Sequence, residues 1–215
     1  MRGRPGSSRA LGTAGAASAA STGTAAALTA APALTAAAAL AGGGIGALLA
    51  LRGGFGAGSL ATALAVVAFA GFGAATAALV RADLRERRLP NRMLGATAAL
   101  FAIPAVCSAL MVGHGERVVV GLLAAAAGFA AAWVAWRCGA GFGGGDVKLV
   151  PVVLFALGWA TGPDRAVDGV LSGAFGLVAG TAILLLFARG RRTGLPFGPV
   201  LLGAGWSGIV PVAFG

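Results

Sequence analysis

The chain has 215 residues, of which 58% are hydrophobic and only 10% charged, with a net charge of +10 and a mean hydropathy of +0.91. A soluble domain carries roughly 25% charged residues, so the composition excludes an ordinary water-soluble globule and places the chain in a membrane. The positive charge does not make it a nucleic-acid binder: the arginines sit in short clusters between apolar runs, not on one polar face.

The first 23 residues, MRGRPGSSRALGTAGAASAASTG, are basic and low in complexity and read as a disordered N-terminus. A basic start before an alanine-rich run also fits a cleaved signal peptide, which would leave six spans and keep the sidedness of the rest. The apolar run is longer than an ordinary h-region, which favours retention. Seven apolar spans follow, at 24–51, 57–80, 93–112, 118–136, 149–161, 169–188 and 198–214. Most approach the roughly 20 residues needed to cross a bilayer core. The first is weak, being mostly alanine with Pro32 and Gly42 to Gly44, and the fifth is short. The expected fold is all-α: a polytopic helical bundle in the membrane with about seven transmembrane helices.

Charge placement tests this count independently. Thirteen basic residues fall on one side of the alternation: Arg2, Arg4 and Arg9, then Arg81, Arg85, Arg87, Arg88 and Arg92, then Arg137 and Lys148, then Arg189, Arg191 and Arg192. Only Arg52, Arg117 and Arg165 fall on the other. By the positive-inside rule the N-terminus and the even-numbered loops are expected in the cytoplasm, and the protein in the inner (plasma) membrane.

Two cysteines carry little information. Cys107 belongs to the outer half of the third span and Cys138 to the inner end of the fourth, too far apart for the ~6 Å Cα spacing of a disulfide. No CxxC pair is present, so a structural zinc site is unsupported and neither a metal nor another cofactor is expected. His114, the one histidine, reads as a solvated loop residue beside Glu116.

The acidic residues are more telling, because there are only six. Asp83 opens the stretch DLRERRLPN where the second span ends, and Asp146 closes GFGGGD just before the fifth begins. Carboxylates at membrane boundaries are costly to desolvate and are functional candidates for that reason. Spans three and four form an out-and-back excursion between them, so both return to the same face. Gly143, Gly144 and Gly145 permit unusual φ values and close approach to a neighbouring helix. Pro90 sits where proline favours a helix start, and Asn91 can supply local hydrogen bonds. Two carboxylates within a few ångströms share a proton and split their acidities, which is the aspartic-protease solution to amide hydrolysis. Helix ends alone would make Asp146, at a helix start, the readier of the two to ionise.

These segments resemble a known family. DLRERRLPN is similar to the first catalytic motif of type IV prepilin peptidases, and GFGGGDVKLV to the second, the signature of GxGD intramembrane aspartic proteases. LPFGPVLLGAG, Leu195 to Gly205, resembles the Pro-Phe-Gly-Pro segment that begins their last helix. The three occur in the family's order across residues 83–205. The resemblance implies N-terminal transmembrane helices at 24–80 and a catalytic core at 81–215. Asp83 and Asp146 would be its catalytic pair. Pro90, Asn91, Gly143, Gly144, Gly145, Lys148, Pro196, Gly198 and Pro199 would be supporting motif positions. The expected reaction is cleavage of the leader from pilin-like precursors of Flp or pseudopilin type at the cytoplasmic face, with pilus or secretion assembly components as further partners. Larger members carry two CxxC pairs and a methyltransferase activity; without those cysteines, peptidase activity alone is expected here. Two readings from other classes compete: an ion-coupled transporter using the aspartates as a proton relay, and a non-catalytic component of a secretion assembly.

Overall fold

Where the sequence alternates apolar runs with short polar joints, the chain alternates helices with tight turns. A computed structural model describes residues 13–86, 89–138, 143–187 and 197–215. Among these residues the order is α1 Thr13–Arg52, α2 Leu60–Glu86, α3 Asn91–Met111, α4 Gly115–Arg137, α5 Gly144–Thr161, α6 Ala166–Phe187 and α7 Gly198–Phe214, with no strand. Five helical segments are long and apolar enough to cross a membrane; the described part of α6 and α7 are shorter apolar helices. With no water to satisfy backbone groups inside a bilayer, a closed set of helices is the economical arrangement for such a sequence. The protein is a polytopic helical membrane protein.

Three boundaries differ from the sequence reading. Helix α1 begins at Thr13, inside the stretch 1–23 read as disordered; residues 1–12 of that stretch lie outside the described residues. Helix α2 begins at Leu60 and continues past the expected span end at 80 to Glu86. Helix α5 begins at Gly144, not 149. Weakly apolar alanine and glycine in α1 and α5, and the charged residues at 81–86 of α2, lower local hydropathy without breaking a helix that has neighbours to pack on.

The helices approach closely because the residues between them are small. A Cβ on Gly158 of α5 would lie 2.8 Å from the Cα of Gly121 on α4, and one on Gly46 of α1 would lie 2.7 Å from the Ala65 carbonyl oxygen on α2. The Gly42 and Gly73 positions face one another across α1 and α2 in the same way. Lipid is as apolar as leucine, so van der Waals contact between small-residue faces, more than hydrophobic exclusion, holds such helices together.

An aromatic cluster fills the middle of the bundle. Phe69 and Phe72 of α2 meet Phe101 of α3, with centroids 5.0 and 5.3 Å apart, and Phe101 meets Phe155 of α5 edge-on at 5.9 Å. Trp159 of α5 is fully buried and donates its indole N–H to the Ala105 carbonyl at 2.9 Å. Ser108 of α3, also buried, donates to the Ala61 carbonyl of α2 at 2.6 Å. Every buried side-chain nitrogen or oxygen described has a hydrogen-bond partner, as an interior without water requires. Large apolar side chains on α4, among them Leu122, Leu123, Phe129 and Trp133, remain exposed, as a lipid-facing surface should be.

The far end of the bundle, opposite Asp83 and Asp146, has its own anchor. Arg117 stacks its guanidinium over Phe55 and Trp159 and donates to the Trp159 and Ala160 carbonyls at the end of α5. His114 is more than a solvated loop residue: it precedes α4, stacks on Phe55 at 5.4 Å and pairs with Glu116 at 2.9 Å. Cys107 and Cys138 are both free.

Candidate active site

Helical periodicity turns both aspartates inward. On α2, Asp83 follows Phe72, Thr76 and Leu79 at spacings of a single helical face, and Phe72 and Leu79 are fully buried. On α5, Asp146 leads a stripe continued by Leu149, Val153, Ala156 and Ala160, all buried. Each carboxylate is therefore the polar end of an apolar stripe. Asp83 is 6% exposed and Asp146 is 9% exposed.

The ends of four helices gather around them. Asp83 lies in the last turn of α2, and Asp146 is the third residue of α5, whose N-cap is Gly143. The Gly143 N–H donates to Asp146 Oδ2 at 3.1 Å, half of a capping box whose other half glycine has no side chain to supply. Asp83 Oδ2 accepts from the Gly198 N–H at the start of α7, also at 3.1 Å. Asn91 begins α3, and its side-chain oxygen accepts from Lys148 Nζ of α5 at 2.9 Å. The two carboxylates lie at the same end of the bundle, where Leu89, six residues after Asp83, packs on Gly145, the neighbour of Asp146. Among the described residues neither has an ion-pair partner; the acid–base contact there, His114 with Glu116, is at the far end.

Of the two uses expected of the glycine run, the structure employs close approach and not unusual backbone angles. Gly143 has a φ of −73°, and Gly144 and Gly145 are helical, so no unusual backbone conformation is used there. The positive φ angles belong to Gly54, Gly56, Gly58, Gly113 and Gly162, in the turns at the far end. What the run provides is proximity. A Cβ on Gly145 would lie 3.0 Å from the Cβ of Leu89, and one on Gly143 would lie 3.1 Å from Asp146 Oδ2, whereas Gly144 faces open space. The run thus lets the chain before α3 and the start of α5 lie against one another beside Asp146.

The other motif positions fall as follows. Pro90 occupies the N-cap of α3 with extended backbone, one position ahead of the first-turn site expected for it, and its carbonyl accepts the Met93 and Leu94 N–H groups. Asn91 bonds across to α5 through Lys148, not locally. Pro199 is the second residue of α7. Pro196, with Gly141 and the arginines at 87, 88, 189, 191 and 192, lies outside the described residues. In the sequence Gly198 is one of several motif positions, and its contact to Asp83 exists only in the tertiary structure. Asp83 faces the N-terminal turn of a second helix, so both carboxylates lie against a helix N-terminus and their own helix ends do not rank them.

Membrane-length helices that carry two buried, backbone-bonded carboxylates at one end define a polytopic helical membrane protein with an acidic site at that end. The chain belongs to the type IV leader peptidase family, whose model matches residues 72–188, a stretch that contains both aspartates. Over 120 residues it is 34% identical to the prepilin leader peptidase/N-methyltransferase of Bacillus subtilis (strain 168), which covers 55% of this chain and 45% of that one. The chain therefore spans less than half the length of this relative. No solved structure matches it.

Proposed function

We propose that the protein is an aspartic endopeptidase that removes the leader from type IV pilin-like precursors at the cytoplasmic face of the plasma membrane, with Asp83 and Asp146 as the catalytic pair. The observation that carries this reading is a pair of buried carboxylates at one end of the bundle, each with one oxygen held by a backbone N–H and neither with an ion-pair partner among the described residues. In the reaction, the ionised carboxylate takes a proton from water as the oxygen attacks the scissile carbonyl. The protonated carboxylate donates its proton to the carbonyl oxygen. Collapse of the tetrahedral intermediate breaks the C–N bond: the departing amine takes up a proton from one carboxyl, and a hydroxyl of the intermediate returns its proton to the other carboxylate, which restores the one-proton pair. Pro90, Asn91, Gly143, Gly145, Lys148, Gly198 and Pro199 support the pair by packing and hydrogen bonding. The thirteen basic residues on the same side of the alternation favour the cytoplasmic orientation. The substrate is read from family membership and the name of the relative, and the proposal is confined to the peptidase step.

The test is cleavage of a pilin-like precursor, with a basic leader and a glycine before its apolar segment, in membranes containing the full chain. Asp83→Asn and Asp146→Asn are each expected to abolish processing while the protein remains inserted and helical. Processing at the wild-type rate by either variant overturns the pair, and a proton-relay transporter or an assembly component then becomes the better reading.

A further inference from the structure

The start of α7 directs one backbone N–H at one carboxylate. The first four N–H groups of a helix have no partner within it. Of those in α7, Pro199 has none to offer, and Leu201 donates to the Phe197 carbonyl at 3.0 Å. Gly198 donates to Asp83 Oδ2, across 115 residues of sequence and in a buried setting. The absence of a side chain permits this contact: a Cβ at position 198 would lie 2.8 Å from Asp83 Oδ2 and 3.2 Å from its Cγ. Gly203, on the same helix, would meet nothing within 4 Å. Asp83 also lies in the last turn of α2, where unpaired carbonyls repel a negative charge, and the positive end of α7 offsets that repulsion.

We infer that Gly198 is a positioning residue for the peptidase reaction, its N–H and its lack of a Cβ together fixing where the Asp83 carboxylate points. This rests on the proposed pairing of Asp83 with Asp146. The hydrogen bond pins Oδ2 and presents Oδ1, which has no protein hydrogen-bond partner among the described residues, to the reacting water or carbonyl. The backbone of α7 thereby becomes part of the machinery, although no side chain of α7 touches the substrate in this scheme. Pro199 contributes by removing a competing donor from the same helical turn.

The experiment compares steady-state cleavage of a synthetic precursor by the full chain in detergent, using a basic leader, a glycine and an apolar segment as the probe. Gly198→Ala, which displaces the carboxylate, is expected to lower kcat on the order of 100-fold, with KM little changed. Gly203→Ala serves as the helix control and is expected to cleave at the wild-type rate. A backbone ester at position 198, which replaces the N–H by oxygen without adding a side-chain atom, is expected to lower kcat on the order of 10-fold. That variant decides the matter if Gly198→Ala fails to fold. Wild-type kcat in the ester variant overturns the inference while inactivity of Asp83→Asn keeps the aspartate pair; full activity of Asp83→Asn removes the pair itself. A defect confined to KM, or one shared equally by Gly203→Ala, also overturns it, because α7 then binds substrate or merely supports the fold.

Discussion

Lys148 on α5 and Asn91 at the start of α3 meet at 2.9 Å, joining segments 57 residues apart at the end of the bundle that carries both aspartates. The contact spends the lysine on an amide oxygen, not on Asp146 two residues before it. Polar motif residues here brace the helix ends, while among the described residues neither carboxylate has a cation as its partner.

Because the Lys148–Asn91 contact is exposed, its loss should be mild. Lys148→Met and Asn91→Ala are each expected to cost no more than about 1 kcal/mol of stability, and the double variant to cost little more than either single one. Chemical denaturation in detergent measures the first quantity and precursor cleavage its consequence. A hundredfold loss of cleavage in Lys148→Met with unchanged stability would assign the lysine to the chemistry instead.

A pair that shares one proton is active only while one member is ionised and the other is not. The cleavage rate is therefore expected to rise and then fall with pH, the two limbs belonging to the pair and not to either residue. A chelator should leave the rate unchanged, since the proposed reaction draws on no metal. A rate that climbs to a plateau with pH, or that chelation abolishes, argues against the shared-proton mechanism.

Glycine positions should divide by the space around them. Gly158→Val forces atoms into the 2.8 Å approach to Gly121 and is expected to destabilise the bundle by about 1–3 kcal/mol or more. Gly95→Ala, on an exposed face of α3 with nothing within 4 Å, should be neutral or stabilise by about 0.5–1 kcal/mol through helix propensity. Melting temperatures in one detergent rank the two. A stabilising Gly158→Val would contradict the close packing of α4 on α5.

Arg117 tests whether the two ends of the molecule are independent. Its stacking on Phe55 and Trp159 lies 13 residues along α5 from Asp146, counted to Trp159, or roughly 20 Å of helix. Arg117→Met is expected to lower stability by about 1–3 kcal/mol, with the cleavage rate per folded molecule unchanged. A large loss of rate at full stability would show that the far end governs the site.

Much of the fold was legible in the chain, and the reasons are local. Runs such as 57–80 and 93–112 declare membrane helices because each residue's transfer preference acts over a window of about 20 positions. The inward aim of Asp83 was also available in principle, since Phe72, Thr76 and Leu79 lie on its face at helical spacing. The helix starts were less legible. Gly144 and Gly145 read as a loop because glycine weakens helices in isolation, yet here packing against Leu89 outweighs propensity.

By itself, then, the sequence determined a helical membrane protein, poor in acids, with two aspartates returned to one end by an out-and-back pair of helices. Only the tertiary structure decided that Asp83 accepts its hydrogen bond from Gly198, that Asn91 takes Lys148, and that Gly121 faces Gly158. Hydrophobic pattern fixes which segments are helical, but it leaves open how each helix rotates and slides against the next. Those choices are made by contacts between small-residue faces, which exist only once the helices are side by side.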